Sequence, residues 1–324
     1  MRTEDWLAQR TYQGADFDPE ELAGRKRALG LSVSVCLPTL EVADTVGPIV
    51  EAVRRHWVDE VGLVDQVAIV DGDSADDTAR IASEAGAEVF QLADILPEVG
   101  TRDGKGEALW KSLAATSGDL VVWLDSDLRD FDPAFVPGLL APLLTEPAVG
   151  YVKGLYRRPL GEAAEGGGRV TEICARPLIG LFYPELGAFL QPLAGEAAGR
   201  RTLLERLPFM SGYAVEIGLL LDIVRRFGLE PMAQVDLGER RHRHQPPSAL
   251  GEMAYVIGQA VLRRLAEDGR APDALAAVGP YLRPLPAGPG GAHVLSERPL
   301  EVAERPPMAS VAGYRKRRAL VAVP

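Results

Sequence analysis

Five short apolar runs alternate with helix-length amphipathic stretches, and this alternation constrains the fold more than any other feature of the chain. The runs are "SVSVCLPTL" (32–40), "QVAIVDGDS" (66–74), "AEVFQL" (87–92), "DLVVWLDSD" (119–127) and "VGYVKGLY" (149–156). Between them lie "TVGPIVEAVRRHW" (45–57), "DDTARIASEAG" (76–86) and "GKGEALWKSLAATSG" (104–118). Strands spaced by helices of this length build βαβ units, because parallel neighbours need a crossover and a helix supplies it. An α/β fold with a mostly parallel sheet is therefore expected over roughly residues 31–156.

The flanks differ in texture. Residues 1–30 read as a polar arm with some helix, docked through Trp6 and Tyr12. After Tyr156, "RRPLGEAAEGGGRVTE" is a Gly-rich loop and "ARPLIGLFYPELGAF" a helix that Pro184 should break. In "YAVEIGLLLDIVRRFG" (213–228), Val215, Leu219, Leu220, Ile223, Val224 and Phe227 form one helical stripe, with Gly228 as its stop. A strand at "MAQVDLG", a charged loop at "ERRHRHQPP" and a helix over 249–267 follow. These elements predict a second lobe over 157–267. Residues 268–324 are rich in Pro and Gly and read as a partly disordered extension.

The 324 residues carry a formal net charge of −11, a poor match for nucleic acid, which calls for a basic footprint. No apolar run reaches the roughly 18–20 residues of a membrane span. Cys36 and Cys174, the two cysteines, read as reduced thiols, and the N-terminus shows no signal-peptide core. The cytoplasm is the expected compartment.

Ligands of open parallel sheets bind at the carboxyl ends of the strands. The residues there are Pro38, Thr39, Leu40 and Glu41, then Asp71, Gly72, Asp73 and Ser74, then Asp125, Ser126 and Asp127. Carboxylates gathered on one rim repel unless a cation sits among them, and an oxygen-rich site suits Mg²⁺ or Mn²⁺. Period-two alternation puts Asp125 and Asp127 on one side, within reach of one ligand. Asp132, before Pro133, is better read as a helix cap.

The "GTRDGKGEAL" stretch fails the phosphate-loop pattern: its first two glycines are one residue too close, and Gly106 replaces the metal-holding hydroxyl. No GxGxxG follows the first strand. What remains is Lys105 between two glycines at a helix start, where an anion could bind or the lysine could simply face solvent.

Taken in order and spacing, "LPTLEVADTV", "VDGDSADDT", "GKGEALWKSL" and "VVWLDSDLRDF" resemble the nucleotide-sugar glycosyltransferases of the A-type fold. With "GGGRVTE", "PLAGEAAGRR", "PFMSGYAVEIGLLLD" and "GERRHRH", the chain is more narrowly similar to the glucosyl- and mannosyl-3-phosphoglycerate synthases, over roughly residues 5–265. The resemblance implies a Rossmann-like sheet with a smaller acceptor-binding lobe, a homodimer, and retaining transfer of a hexose from a nucleoside diphosphate sugar to the 2-hydroxyl of 3-phosphoglycerate. It places Pro38, Thr39, Leu40, Glu41, Asp73, Ser74, Lys105, Asp125 and Ser126 on the nucleotide. It gives Asp127 and His242 to the metal, and Gly168, Arg169 and Thr171 to the acceptor, with His244 less certain. Leu193, Tyr213 and Glu216 would line the sugar pocket and Arg240 would lie near the phosphates. Read alone, His242 in "RRHRH" belongs to a solvated basic loop rather than to a metal. Glu216, in an otherwise apolar helix, needs a pocket or a partner. The rivals are a polyprenyl-phosphate sugar transferase of the same fold, a sugar nucleotidyltransferase and a catalytically dead binder.

Overall fold

A computed structural model of the chain describes residues 2–157, 168–240, 247–273, 279–286 and 293–321. His242 and His244 lie outside the described residues, as does most of "RRPLGEAAEGGG".

An eight-stranded sheet runs through the molecule. Its strands are β1 (Thr11–Gln13), β2 (Val33–Thr39), β3 (Gln66–Asp71), β4 (Glu88–Gln91), β5 (Leu120–Trp123), β6 (Tyr151–Arg157), β7 (Ala197–Arg200) and β9 (Met232–Glu239). Their spatial order is β1-β9-β6-β7-β5-β2-β3-β4. All neighbours pair in parallel except around β7, which is antiparallel to both β5 and β6. The short β8 (Phe209–Met210) stands outside this sheet.

Side-chain alternation along the strands feeds two cores. Val33, Val35, Leu37, Val122 and Leu124 face α3 (Ala43–Val53) and α6 (Phe135–Thr145). Cys36, Val121, Trp123 and Tyr151 face α5 (Lys105–Ala115) and α9 (Val215–Phe227). The Cys36 thiol is fully buried and pushed up to about 12 by desolvation, so it is an inert core group. The remaining helices are α1 (Thr3–Arg10), α2 (Pro19–Leu29), α4 (Thr78–Glu84), α7 (Arg176–Phe182), the single turn α8 (Arg201–Leu204), α10 (Pro247–Glu267) and α11 (Ala312–Val321).

Several local readings hold for clear reasons. The Asp132 carboxylate accepts the Ala134 N–H at 2.9 Å in the turn before α6, but the cap position itself is Ala134, two residues beyond the one read from the sequence. Asp76 takes the Thr78 N–H at 3.0 Å and starts α4. Helix α7 stops two residues before Pro184, and α9 ends at Gly228, whose φ is 73°.

Two readings need correction, and one strand was not read at all. The sheet crosses the expected boundaries at 30 and 156, because β1 comes from the N-terminal arm and β7 and β9 from beyond Tyr156. The "GEAAGRR" stretch holds a central strand, antiparallel to β5 and β6, and its Gly199 leaves room for the Leu204 side chain to pack against it. The C-terminal extension is ordered over its described residues. It forms a hairpin, β10 (Tyr281–Pro286) with β11 (His293–Arg298), then β12 (Glu304–Arg305), which pairs with β8. Val302, Met308, Val311 and Tyr314 are buried in the core. Proline content predicted a solvated tail, but apolar residues spaced between the prolines give that tail a face to bury.

Candidate active site

The carboxyl ends of β2, β3 and β5 open into a cavity of about 560 Å³. Pro38, Thr39 and Leu40 line it from β2, Asp125, Ser126 and Asp127 from β5, and Lys105 from the start of α5. Leu193, Tyr213, Glu216 and Arg240 line the opposite side. Eleven residues singled out from sequence therefore meet in one cavity.

Others serve the rim without lining it. The Ser74 hydroxyl donates to Asp71 at 2.7 Å and accepts the Glu41 N–H at 2.9 Å, so it ties the ends of β2 and β3 together. Glu41 and Asp73 sit beside it with φ of 52° and 60°, left-handed conformations that non-glycine residues adopt rarely. Asp71 is no open ligand group: it is buried and accepts from the Thr39 hydroxyl and from both the N–H and the hydroxyl of Ser74. Gly168 and Arg169 are half-buried and Thr171 is buried, at the start of a turn of π-helix leading into α7, away from the cavity lining.

The floor is an ionic cluster. Lys105 Nζ lies 2.6 Å from Asp125 Oδ1 and 2.9 Å from Glu216 Oε1. Burial opposes the lysine charge, but these two carboxylates outweigh it and raise its pKa above the ordinary value. Burial likewise opposes the Asp125 charge, yet Lys105 and Arg240 hold its carboxyl well below the usual range. Arg240 Nη2 donates to Asp125 at 2.8 Å and lies 3.7 Å from Asp127. The two acids of "DSD" thus share one guanidinium, as their spacing implies, but their states differ. Asp125 is enclosed between two cations, while the Asp127 side chain is 66% exposed. Glu216 has both the pocket and the partner its burial calls for.

Sequence reasoning missed the groups that shape this floor. Gly195 packs against Asp125, and a Cβ there would run into the carboxylate. Gly106 packs as tightly on the Met210 carbonyl, which seats α5 against the loop carrying Tyr213. Met253 and Ile257 close the cavity from α10; their spacing of four residues on an amphipathic helix was a usable signal.

Lys153 was also missed. It is 1% exposed on β6 beneath this cluster. Desolvation brings its pKa down from 10.5 to about 8, against the raising influence of Glu216. A lysine depressed on folding binds fewer protons in the native than in the unfolded state. Its cost is therefore full below pH 8 and fades as pH rises toward 10.5. Lys153→Met is expected to raise unfolding free energy at pH 7 by up to about 3 kcal/mol, and to flatten the rise in stability between pH 8 and 10.5. Denaturant titrations across that range check both. A variant less stable than wild type at pH 7 would show that the ammonium is needed where it sits.

Comparison with known proteins agrees with this geometry. Residues 34–204 match the model of Glycosyl transferase family 2. Glucosyl-3-phosphoglycerate synthase of Petrotoga mobilis is 46% identical over 271 residues, spanning 82% of this chain and 83% of that protein. The Mycobacterium tuberculosis synthase of the same name is 46% identical over 287 residues, 86% of each chain. Among solved structures, mannosyl-3-phosphoglycerate synthase from Rubrobacter xylanophilus superposes with a TM-score of 0.87 at 45% identity, covering 95% of this chain and 97% of that one. The M. tuberculosis glucosyl enzyme in complex with Mn²⁺, uridine diphosphate and phosphoglyceric acid gives 0.78 at 41% identity, covering 90% and 95%. On this combination of sheet, cavity and likeness, the chain belongs to glycosyl transferase family 2, within the group of glucosyl- and mannosyl-3-phosphoglycerate synthases.

Proposed function

We propose that this chain is a metal-dependent retaining hexosyltransferase that moves glucose or mannose from a nucleoside diphosphate sugar to the 2-hydroxyl of 3-phosphoglycerate. The observation that carries the reading is the cavity floor. One exposed carboxylate, Asp127, stands beside a neutralised cluster of Lys105, Asp125, Glu216 and Arg240. A related enzyme binds Mn²⁺, uridine diphosphate and phosphoglyceric acid in the same fold.

The residues present fit a divalent cation of the kind that keeps waters and substrate phosphates as ligands. Such ions take only one or two carboxylates from the protein. No group of three metal-ligating side chains exists among the described residues, and Asp127, exposed and 3.7 Å from Arg240, is the available oxygen donor. With His242 it would hold the ion. When bound, the ion neutralises charge on the departing diphosphate. In this reading Pro38, Thr39, Leu40, Glu41, Asp73, Ser74, Asp125 and Ser126 seat the nucleotide, and Lys105 lies at its phosphate side. Leu193, Tyr213 and Glu216 form the sugar pocket. Glu216, 2.9 Å from Lys105, can accept hydrogen bonds from sugar hydroxyls. Arg240 adds positive charge where the leaving phosphate gathers negative charge. The first half of the sheet is the nucleotide side and residues 157–267 the acceptor side.

The acceptor carries a phosphate and a carboxylate, and Arg169 is suited to grip either with two hydrogen bonds. Gly168, with φ of 75°, turns the chain beside it; Thr171 and His244 complete the proposed site. Arg169→Ala should raise KM for 3-phosphoglycerate by about 30-fold or more, the loss of a charge-assisted contact worth about 2 kcal/mol, with the donor KM little changed. Loss of donor affinity alone would remove this loop from the acceptor site.

A grid of nucleotide sugars against 3-phosphoglycerate, with and without Mg²⁺ or Mn²⁺, tests the whole reading and selects the hexose and base. Turnover with no pair, or pyrophosphate release from a nucleoside triphosphate, would overturn it. A homodimer in the cytoplasm completes the proposal. It is supported by the exposed apolar residues Ile173, Leu181 and Leu190 and by the free thiols of Cys36 and Cys174; sedimentation equilibrium checks the dimer. No helix among the described residues is long and apolar enough to cross a membrane.

A further inference from the structure

Glu196 has no part in the reading above, yet it is fully buried at the edge of the cavity floor. It leads into β7, next to the Gly195 that cradles Asp125. Its carboxylate lies 3.0 Å from Arg240 Nη1 and accepts the Tyr156 hydroxyl at 2.8 Å. That hydroxyl in turn accepts from Arg240 Nη1 at 2.6 Å, and the Tyr156 ring lies 5.2 Å from the guanidinium carbon. One edge of Arg240 is therefore clamped by Glu196 and Tyr156. The other edge donates to Asp125 and comes only to 3.7 Å from Asp127.

A single guanidinium is thus shared among three carboxylates, and the exposed one receives the smallest share. If the buried charge of Glu196 were removed, the Nη1 edge would lose its anion and more of the positive charge would fall on Asp127. A divalent cation would then face a fixed competitor for the same oxygen atoms. We propose that Glu196 is a positioning residue that withholds the Arg240 guanidinium from Asp127 and so keeps that carboxylate open to the metal. The inference rests on the assignment of Asp127 to the metal made under the proposed function.

The test is direct binding without turnover. Mn²⁺ is titrated into substrate-free protein and followed by electron paramagnetic resonance. Uridine and guanosine diphosphate are titrated separately in chelator by calorimetry. E196Q should bind Mn²⁺ about tenfold more weakly, the scale of one unbalanced charge a few ångströms away. It should bind the diphosphates as tightly as wild type or more tightly, since a buried negative charge is gone. The opposite signs separate this role from a structural one, which would weaken both ligands. The double variant E196Q/R240M, which restores the net charge and removes the competitor, should recover most of the Mn²⁺ affinity. Should E196Q fail to fold, Y156F loosens the same clamp with every charge kept, and a smaller weakening of Mn²⁺ is expected. Unchanged Mn²⁺ affinity in both E196Q and Y156F, parallel loss of metal and diphosphate, or no recovery in the double variant would each overturn the inference. Wild-type protein that takes no Mn²⁺ would sink the metal reading of Asp127 itself; wild-type binding beside unaffected E196Q and Y156F would sink the inference alone.

Discussion

Asp127→Ala should lower kcat/KM for hexosyl transfer by about three orders of magnitude while leaving the protein as stable as before. The two halves of this expectation have separate causes. In the fold, Asp127 is an exposed side chain whose nearest cation is 3.7 Å away, and exposed pairs of this kind contribute at most about 1 kcal/mol. In the proposed reaction, it would be the carboxylate offered to a cation that neutralises the leaving diphosphate, a contribution of several kcal/mol, and each 1.36 kcal/mol is about tenfold in rate. Chelator should silence the wild type to a similar degree. Steady-state rates over a Mn²⁺ titration, beside a thermal melt, check both halves. A variant that keeps a tenth of wild-type activity in chelator would remove Asp127 from the metal.

Arg305→Met should have the opposite profile, a large loss of stability. Arg305 reaches from β12 to clasp Glu107 of α5 with two hydrogen bonds of 2.7 Å, Nε to Oε2 and Nη2 to Oε1. It also donates to the Val99 and Gly100 carbonyls at 2.9 and 3.1 Å and stacks 5.0 Å from the centre of the Trp110 ring. Glu107 is 1% exposed, and its other cation, Lys111, stands at 3.8 Å. Burial pulls the Lys111 pKa down, so that lysine is a poor substitute. Removing one member of a buried pair leaves the other uncompensated, at a cost of roughly 3–5 kcal/mol. Urea unfolding measures it. A loss below about 1 kcal/mol would mean that Glu107 finds water or protonates instead. Because the same arginine holds the loop that leads into Lys105, donor KM should rise at temperatures where the variant is still folded.

How much of this was legible in the sequence depends on the range of the interaction. The first half of the sheet was readable because its signals are local: an apolar run, an acid at its end, a glycine, a helix start. Asp125, Lys105 and Asp127 stand out in that pattern, and a few residues of context are enough. The strand β7 was hidden because "AAGR" has no strand propensity of its own; its place is set by the antiparallel ladders it makes with β5 and β6. Glu196 and Lys153 were hidden for a related reason. Nothing near either residue in sequence indicates that its neighbours in space are Arg240 or Glu216. The C-terminal extension misled in the other direction, since proline content speaks of backbone freedom and says nothing of Arg305 finding Glu107 some two hundred positions earlier.

The edge strand β1 has a consequence for how the molecule is made. The Trp6 indole N–H donates to the carbonyls of Leu229 and Met232 at 3.0 and 2.9 Å, and Thr11 to Gln13 pair in parallel with Gln234 to Asp236. Of the eight strands of this sheet, the first to be synthesised is thus among the last to find its place. At typical synthesis rates of about 5–20 residues per second, the wait for β9 is on the order of 10–50 s. Closing so long a loop costs little equilibrium stability, because the entropy grows only with the logarithm of length. It does slow assembly, since long-range pairs form late. Strands β2 to β5 can assemble during synthesis, but the β9 edge of the sheet closes only when the two distant segments meet. Until then Trp6, buried in the finished protein, is an exposed apolar handle just ahead of β1.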